Sequence, residues 1–193
     1  MHIADGVMPA AWCAAAHAVT LTGLYACGRR IDAAEVSRMG LLSAAAFTIS
    51  LVHFPLAGTS IHLGLYGLLG VLLRQRAFPV IFATLLFQAL LFQHGGLLSL
   101  GLNSLNLGLG AMAGWAAWRT PGLGEQARAF AAGFAGIFVP ALLLATEFAA
   151  SGYGRGFFFI AGVYAIAAAA EGAVTAAAIG FFRRMKPEAL VPA

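Results

Sequence analysis

From Ala77 to Trp118 the chain carries no Asp, Glu, Lys or Arg, and comparable runs extend from Gly40 up to Arg74, from Ala129 to Thr146 and from Gly156 to Ala170. Several of these exceed the ~20 apolar residues that carry an α-helix across a bilayer. In lipid no water is available to bond backbone amides and carbonyls, so such runs fold as helices packed into a bundle. Only 9% of the residues are charged and 61% are hydrophobic, whereas soluble domains carry roughly 25% charged residues. The expected fold class is an all-α polytopic membrane protein. No charged leader precedes the first apolar run, which is longer than a signal-peptide core, so no cleavable signal is expected.

Seven helices can be read in order: about Pro9–Gly28, Met39–Phe54, Ile61–Leu73, Ala77–Phe92, Ser104–Trp118, Arg128–Ala149 and Gly156–Phe182. Pro9 suits a first helical position, where its missing N–H costs nothing. Thr59 or Ser60 can cap the third helix, and Pro187 ends any helix beyond Lys186. The whole chain, 1–193, reads as one membrane domain, with residues 1–8 as an N-terminal segment and 9–186 as the bundle. Cys13 and Cys27 are fourteen residues apart on one helix, too far to pair and without metal-ligand spacing.

Seven crossings put the termini on opposite sides. Ten of the eleven basic residues then share one side: Arg29, Arg30, Arg38, Arg74, Arg76, Arg119, Arg128, Arg183, Arg184 and Lys186, with Arg155 alone on the other. The positive-inside rule makes the crowded side cytoplasmic and the N-terminus external. The net charge of +4 is therefore topology information, and no nucleic-acid partner is expected.

On that map His2, His53, His62 and His94 fall near outer helix ends, and His17 alone lies inside a span. Four separate segments bringing histidines to one face is what a convergent binding site requires; the preference of histidine for interfaces is the plainer account. The third helix, Ile61 to Leu73, is only thirteen residues, or about 20 Å, against a core of ~30 Å. Its outer end, Gly58-Thr59-Ser60 with His62, is expected to start in a recess covered by protein or water. There His62 sits in the first helical turn, where the positive end of the dipole favours the neutral, metal-binding imidazole. Gly64 and Gly67 leave room for another segment to lie close, the N-terminal stretch being the natural one. The loop from His94-Gly95-Gly96 through Asn103, followed by Asn106, reads either as a second recessed segment whose amides orient a ligand or as a surface turn.

Two acids lie in apolar surroundings. Glu147 is near an outer end and can reach the interface. Glu171, mid-span, is protonated, paired or functional; a hydrogen bond to Asn103, Asn106 or His17 is feasible, and a structural lock and a translocation role both stay open. Asp5 is expected to hold the N-terminal segment by a hydrogen bond.

The first residues, Met1-His2, offer an α-amine, a backbone amide and an imidazole within two residues. The large side chain at position 2 should leave Met1 in place. Together these nitrogens form fused chelate rings with one in-plane position open, a nitrogen-rich square-planar site suited to Ni(II) and Cu(II), with Co(II) able to follow. The alternative is an accident of a start site.

Met1-His2-Ile3-Ala4-Asp5-Gly6 resembles the N-terminus of the CbiM/NikM family, the substrate-specific components of energy-coupling factor (ECF) transporters for cobalt and nickel. The resemblance continues through Gly58-Thr59-Ser60-Ile61-His62-Leu63, Gln93-His94-Gly95-Gly96 with Leu100-Gly101-Leu102-Asn103, and Glu171-Gly172-Ala173-Val174-Thr175. It implies a seven-span fold and a metal held by the amine of Met1, the amide and imidazole of His2, and His62. Asp5, Thr59, Ser60, His94, Asn103, Asn106 and Glu171 are expected as surrounding support. Leu107 and Tyr164 depart from the family pattern, where methionine and histidine are usual.

The resemblance further implies a bacterial cytoplasmic (inner) membrane location and Co2+ or Ni2+ as transported substrate, with no catalytic cofactor. The implied partners are ECF ATPase subunits, a transmembrane coupling component and a separate small CbiN/NikN-like auxiliary subunit. The sequence has no Walker A motif, consistent with energy supplied by separate ATPases and with a non-enzymatic subunit. A haem-binding electron-transfer protein would need facing mid-span histidines, and only His17 is placed so. A vitamin-binding substrate component would need an aromatic-lined pocket and no dependence on the N-terminus.

Overall fold

The computed structural model of the chain describes residues 2–56, 59–153 and 156–190, with backbone alone for 53–56, 59–61 and 189. Among the described residues are seven α-helices: α1 Ala10–Gly28, α2 Ala33–Ser50, α3 Tyr66–Leu73, α4 Ala77–Phe92, α5 Leu100–Trp118, α6 Glu125–Ser151 and α7 Phe157–Met185. Short 3₁₀ turns at Arg74–Arg76 and Pro187–Leu190 complete the helical content.

One region is not helical. The expected third helix from Ile61, capped by Thr59 or Ser60, is replaced by an antiparallel hairpin of β1 His53–Leu56 and β2 Thr59–His62, in the register His53↔His62 and Leu56↔Thr59. α2 is shifted toward the N-terminus of its expected span for a local reason. Asp32 accepts the Glu35 amide at 2.8 Å while Glu35 reaches back to the Asp32 amide at 3.3 Å. This capping box satisfies two donors at the helix start and fixes it there.

α3 is the axis of the bundle, and all eight of its residues are buried. Glycine makes that possible. A Cβ on Gly67 would stand 2.1 Å from the Ala132 carbonyl oxygen of α6, and one on Gly70 would stand 2.0 Å from that of Ala111 in α5. Backbone therefore packs on backbone at two positions, the small-residue packing through which helices associate in lipid.

The apolar stretch Tyr66–Phe92 is 27 residues long, but it does not cross as one rod. The chain reverses at Arg74, whose backbone φ is positive (55°), and the rings of His62, before α3, and His94, after α4, lie 5.8 Å apart. Arg76 closes the bend by donating to the carbonyls of Cys27, Arg29 and Arg30 at 2.7, 2.9 and 3.0 Å and pairing with Glu35 at 3.2 Å.

The bundle thus has two chemically distinct ends. Arg183 of α7 binds Glu125 at the start of α6, and Arg119 and Arg128 lie over Trp115 and Trp118; together with Arg76 they mark one end. The histidines mark the other, where Gln88 of α4 also bonds Ser50 of α2. Between the ends the surface is oily: Leu21, Leu41, Phe158 and Ile166 are each more than 60% exposed. Such a belt suits lipid and not water. Four stretches, Ala10–Gly28, Tyr66–Phe92, Glu125–Ser151 and Phe157–Met185, are long and apolar enough to cross a bilayer, and the chain is a membrane protein.

Candidate metal centre

The N-terminal segment is folded onto the start of α5. Asn103, in the first turn of that helix, accepts the Ile3 amide on Oδ1 at 2.8 Å and donates Nδ2–H to the Ile3 carbonyl at 2.9 Å. One side-chain amide thereby satisfies both backbone groups of Ile3, whose own side chain is buried. Asp5 makes the second tether, accepting the amides of Ser99 at 2.8 Å and Leu98 at 3.2 Å. The Ser99 hydroxyl lies 2.7 Å from the Ile3 carbonyl and 2.9 Å from the Asp5 carboxylate; its single proton goes to one or the other. Burial raises the Asp5 carboxyl pKa, but the bonds from Ser99 and Leu98 outweigh it and hold the group below its ordinary value. A carboxylate at the amino end of α5 also meets the positive end of the helix dipole.

The loop beneath this segment is itself fixed. His17 Nε2 lies 3.1 and 3.0 Å from the carbonyls of Leu97 and Leu98. His17 stands seven residues into α1, so the loop reaches about 10 Å below the start of that helix. The loop is thus tied to the flank of α1. At its rim Gln93 takes a left-handed backbone (φ 53°), and the His94 amide bonds back to the Gln88 carbonyl at 3.2 Å. This turn carries the His94 ring inward.

Three imidazoles meet beside that loop. His2 and His62 stack with centroids 4.9 Å apart and planes 13° from parallel. His94 stands edge-on to both, at 4.4 Å from His2 and 5.8 Å from His62. One ligand nitrogen from each ring lies within 4.8 Å of the other two. Two nitrogens bound to one ion at ~2.1 Å can be no more than ~4.2 Å apart, so a small rotation of the rings completes the approach. His62 is buried, and its Nδ1 lies 3.4 Å from the Leu63 carbonyl. With the proton on Nδ1, the Nε2 lone pair is left for a metal, the usual division of labour in a ligating histidine.

Glu171 of α7 supports this arrangement from below. It is fully buried and accepts the Gly64 amide at 3.3 Å. α3 has no side-chain cap of its own, and Leu65 before it is left-handed (φ 54°). The carboxyl of Glu171 therefore takes the place of an N-cap and pins the β2–α3 junction two residues beyond His62.

The model of a family described as the cobalt uptake substrate-specific transmembrane region, CbiM, matches residues 2–189. The chain belongs to the CbiM family. It is 32% identical to the fused nickel transport protein NikMN of Rhodobacter capsulatus over 100% of this chain and 64% of that one. Against the cobalt transport protein CbiM of Geobacter sulfurreducens the identity is 32%, covering 98% of this chain and 61% of the relative. The CbiM of Sorangium cellulosum is 34% identical, with 98% and 94% covered. The chain thus spans about three fifths of the length of the first two relatives. A crystal structure of a transition metal transporter superposes with a TM-score of 0.84 at 26% identity, over 95% of this chain and 93% of that one. A truncated transition metal transporter gives 0.82 at 27% identity, over 97% and 99%. These relatives are transport components and not enzymes.

Within this CbiM-family fold the expected site residues separate into groups. His2, His62, His94, Asp5 and Asn103 come together as described. Met1 and Gly58 lie outside the described residues, as do the side chains of Thr59 and Ser60 and the outer-side Arg155. His62 does not sit in a helical first turn: it ends β2, four residues before α3, because the residues before it pair as a hairpin. Gly64 and Gly67 do not receive the N-terminal segment, since Gly67 is filled by α6 and the segment lies on Ser99 and Asn103. Asn106 is one turn too far along α5 and donates to Glu147 at 2.8 Å, an acid that is half-buried. Glu171 bonds the Gly64 amide and not Asn103, Asn106 or His17. Leu107 and Tyr164 both pack in the core of the bundle. The ring of His94, expected only as support, stands among the candidate ligands. Its neighbouring glycines and the recess were signals for that position, but no periodic pattern fixes where a loop side chain points.

Proposed function

We propose that the chain is the metal-capturing subunit of an ECF-type importer for Co2+ or Ni2+ in a bacterial inner membrane. In this reading the chain crosses seven times, with the histidine end and the N-terminus outside and the arginine end in the cytoplasm, as the positive-inside rule supports. The ion is held by the amine of Met1, the amide and imidazole of His2, and His62, with His94 able to supply a further nitrogen on one side of that plane. Capture replaces the water around the ion by these nitrogens; Asn103 and the loop before α5 hold the N-terminal segment in place so that little ordering is left for the binding step. Because the amine and the His2 amide must lose protons, affinity rises with pH. Square-planar nitrogen ligation disfavours Mg, Ca and Zn, while the Irving–Williams order leaves Cu(II) as the competitor. Energy comes from separate ATPase subunits through a transmembrane coupling component, and a NikN-like auxiliary subunit joins them, consistent with the fused name of the Rhodobacter relative.

The observation that carries this reading is the meeting of three imidazoles from three segments within 4.8 Å, with the N-terminal segment held at Ile3 and Asp5. Equilibrium binding of Ni2+ and Co2+ to the purified chain and to His62→Ala tests it. Loss of tight binding is expected; a change of only a few-fold would reduce His62 to a packing role. A visible absorption spectrum without a haem band and the absence of vitamin binding complete the discrimination.

A further inference from the structure

We propose that His17 is a positioning residue for the metal centre: without touching the ion, it sets the direction of the two amides that hold Asp5, and with them the segment that carries His2. The proposal rests on the metal-capture reading for its ligand, whereas the relay it describes belongs to the metal-free chain. His17 lies seven residues into α1, one of the stretches apolar enough to cross a bilayer, where a polar ring is costly unless it is bonded. Its Nε2 stands 3.1 and 3.0 Å from the carbonyl oxygens of Leu97 and Leu98. Carbonyls only accept, so Nε2 carries a proton and shares it between the two.

Those oxygens belong to the peptide units 97–98 and 98–99. The N–H ends of the same two units are the donors to Asp5, Leu98 at 3.2 Å and Ser99 at 2.8 Å. A trans peptide unit is planar, and its C=O and N–H point to opposite sides. Holding the oxygen therefore aims the hydrogen. Two such units side by side form a relay from α1 through the loop to the carboxylate, and bonds at both ends of one unit strengthen each other. A simple tie between α1 and α5 is already supplied elsewhere. A Cβ on Gly101 would stand 2.7 Å from the His17 Cα, so the two backbones touch there, and Thr20 Oγ1 donates to the Gly101 carbonyl at 2.8 Å. These contacts join the helices; His17 adds direction to the loop between His94 and α5.

Hydrogen–deuterium exchange of the metal-free, detergent-purified chain, read by mass spectrometry on peptides covering residues 2–8 and 97–99, tests the relay. His17→Phe keeps a ring and removes the donor. It should speed exchange in both peptides by about tenfold, the change expected on losing a hydrogen bond in a charged network. His17→Gln, which can place an amide N–H near the same point, should restore most of the protection. Thr20→Val, which removes the other bond to the start of α5, should leave residues 2–8 at the parent's rate. In Ni2+ titrations His17→Phe should lower affinity about tenfold with the ligand-field band of the bound ion unmoved, and should add little in an Asp5→Ala background, since the two residues act in one relay. Exchange of residues 2–8 in His17→Phe equal to the parent's overturns the proposal, as does a Thr20→Val effect of the same size, which would reduce His17 to packing. A shifted ligand-field band would make it a ligand and equally refute the positioning role. Absence of tight Ni2+ and Co2+ binding by the parent would refute the capture function, while the exchange rates would still decide the relay.

Discussion

The two ends of the bundle use polar groups in opposite ways. At the arginine end, Arg76 and Arg183 close helix ends: each joins elements that already neighbour one another, and each spends its donors on carbonyls or a single carboxylate. At the histidine end the polar groups join segments far apart in sequence, Ile3 with Asn103, Asp5 with Ser99 and Gly64 with Glu171, and they leave the rings of His2, His62 and His94 facing a common point. One end finishes helices; the other assembles a site. The first kind of contact closes helices; the second fixes the segments that carry the histidines.

Variants separate the two roles. The largest effect on metal affinity should come from one residue added before Met1 or from His62→Ala, each lowering Ni2+ or Co2+ affinity by more than about 100-fold with no change in the thermal unfolding midpoint. A fall in midpoint with affinity retained would erase the contrast between the ends. Next, Asn103→Leu removes the tether of Ile3 and should weaken binding about 10–100-fold, read by the same titration. Glu171→Ala should follow: losing the acceptor beneath Gly64 costs about 1–3 kcal/mol of stability and a smaller part of the affinity. Glu171→Gln, which keeps an oxygen acceptor, should recover most of both.

These residues also show how far the sequence could be read. α4 matches its expected limits of Ala77 and Phe92, because Arg76 precedes its apolar run and the polar, glycine-rich stretch Gln93-His94-Gly95-Gly96 follows it. The strands β1 and β2 stand where a helix start is expected because Thr59 and Ser60, whose residue types suit a helix cap, pair with Leu56 and Pro55 instead. α2 starts at Ala33 and not at Met39 because the three-residue spacing of Asp32 and Glu35 is that of a capping box. His2 and His62 are legible as candidate ligands and His94 as a neighbour on the same face; that its ring stands among the ligands is not, since its direction depends on a left-handed turn at Gln93. The partnership of Asn106 with Glu147 needed the packing of α5 on α6, which no local pattern encodes.

At the other end, Arg76→Gln should lower stability by about 1–3 kcal/mol and leave metal affinity unchanged; a matching loss of affinity would show the ends to be coupled. The smallest effect concerns Asp5. Its carboxyl pKa is lowered in the folded chain, so its tether is complete above the ordinary aspartate range near ~3.9 and is lost only as pH falls through the lower folded value. Between pH 5 and 8 it contributes no slope. Asp5→Asn should therefore displace the curve of affinity against pH downward by about tenfold or less without changing its shape, the rise with pH belonging to the amine, the amide and the imidazoles.

The most direct test of the central claim is anomalous diffraction at the nickel or cobalt edge from crystals of the metal-loaded chain. The account predicts one strong peak about 2 Å from nitrogens of both His2 and His62, against the start of α5. A peak at the arginine end, or one in contact with neither histidine, would contradict it.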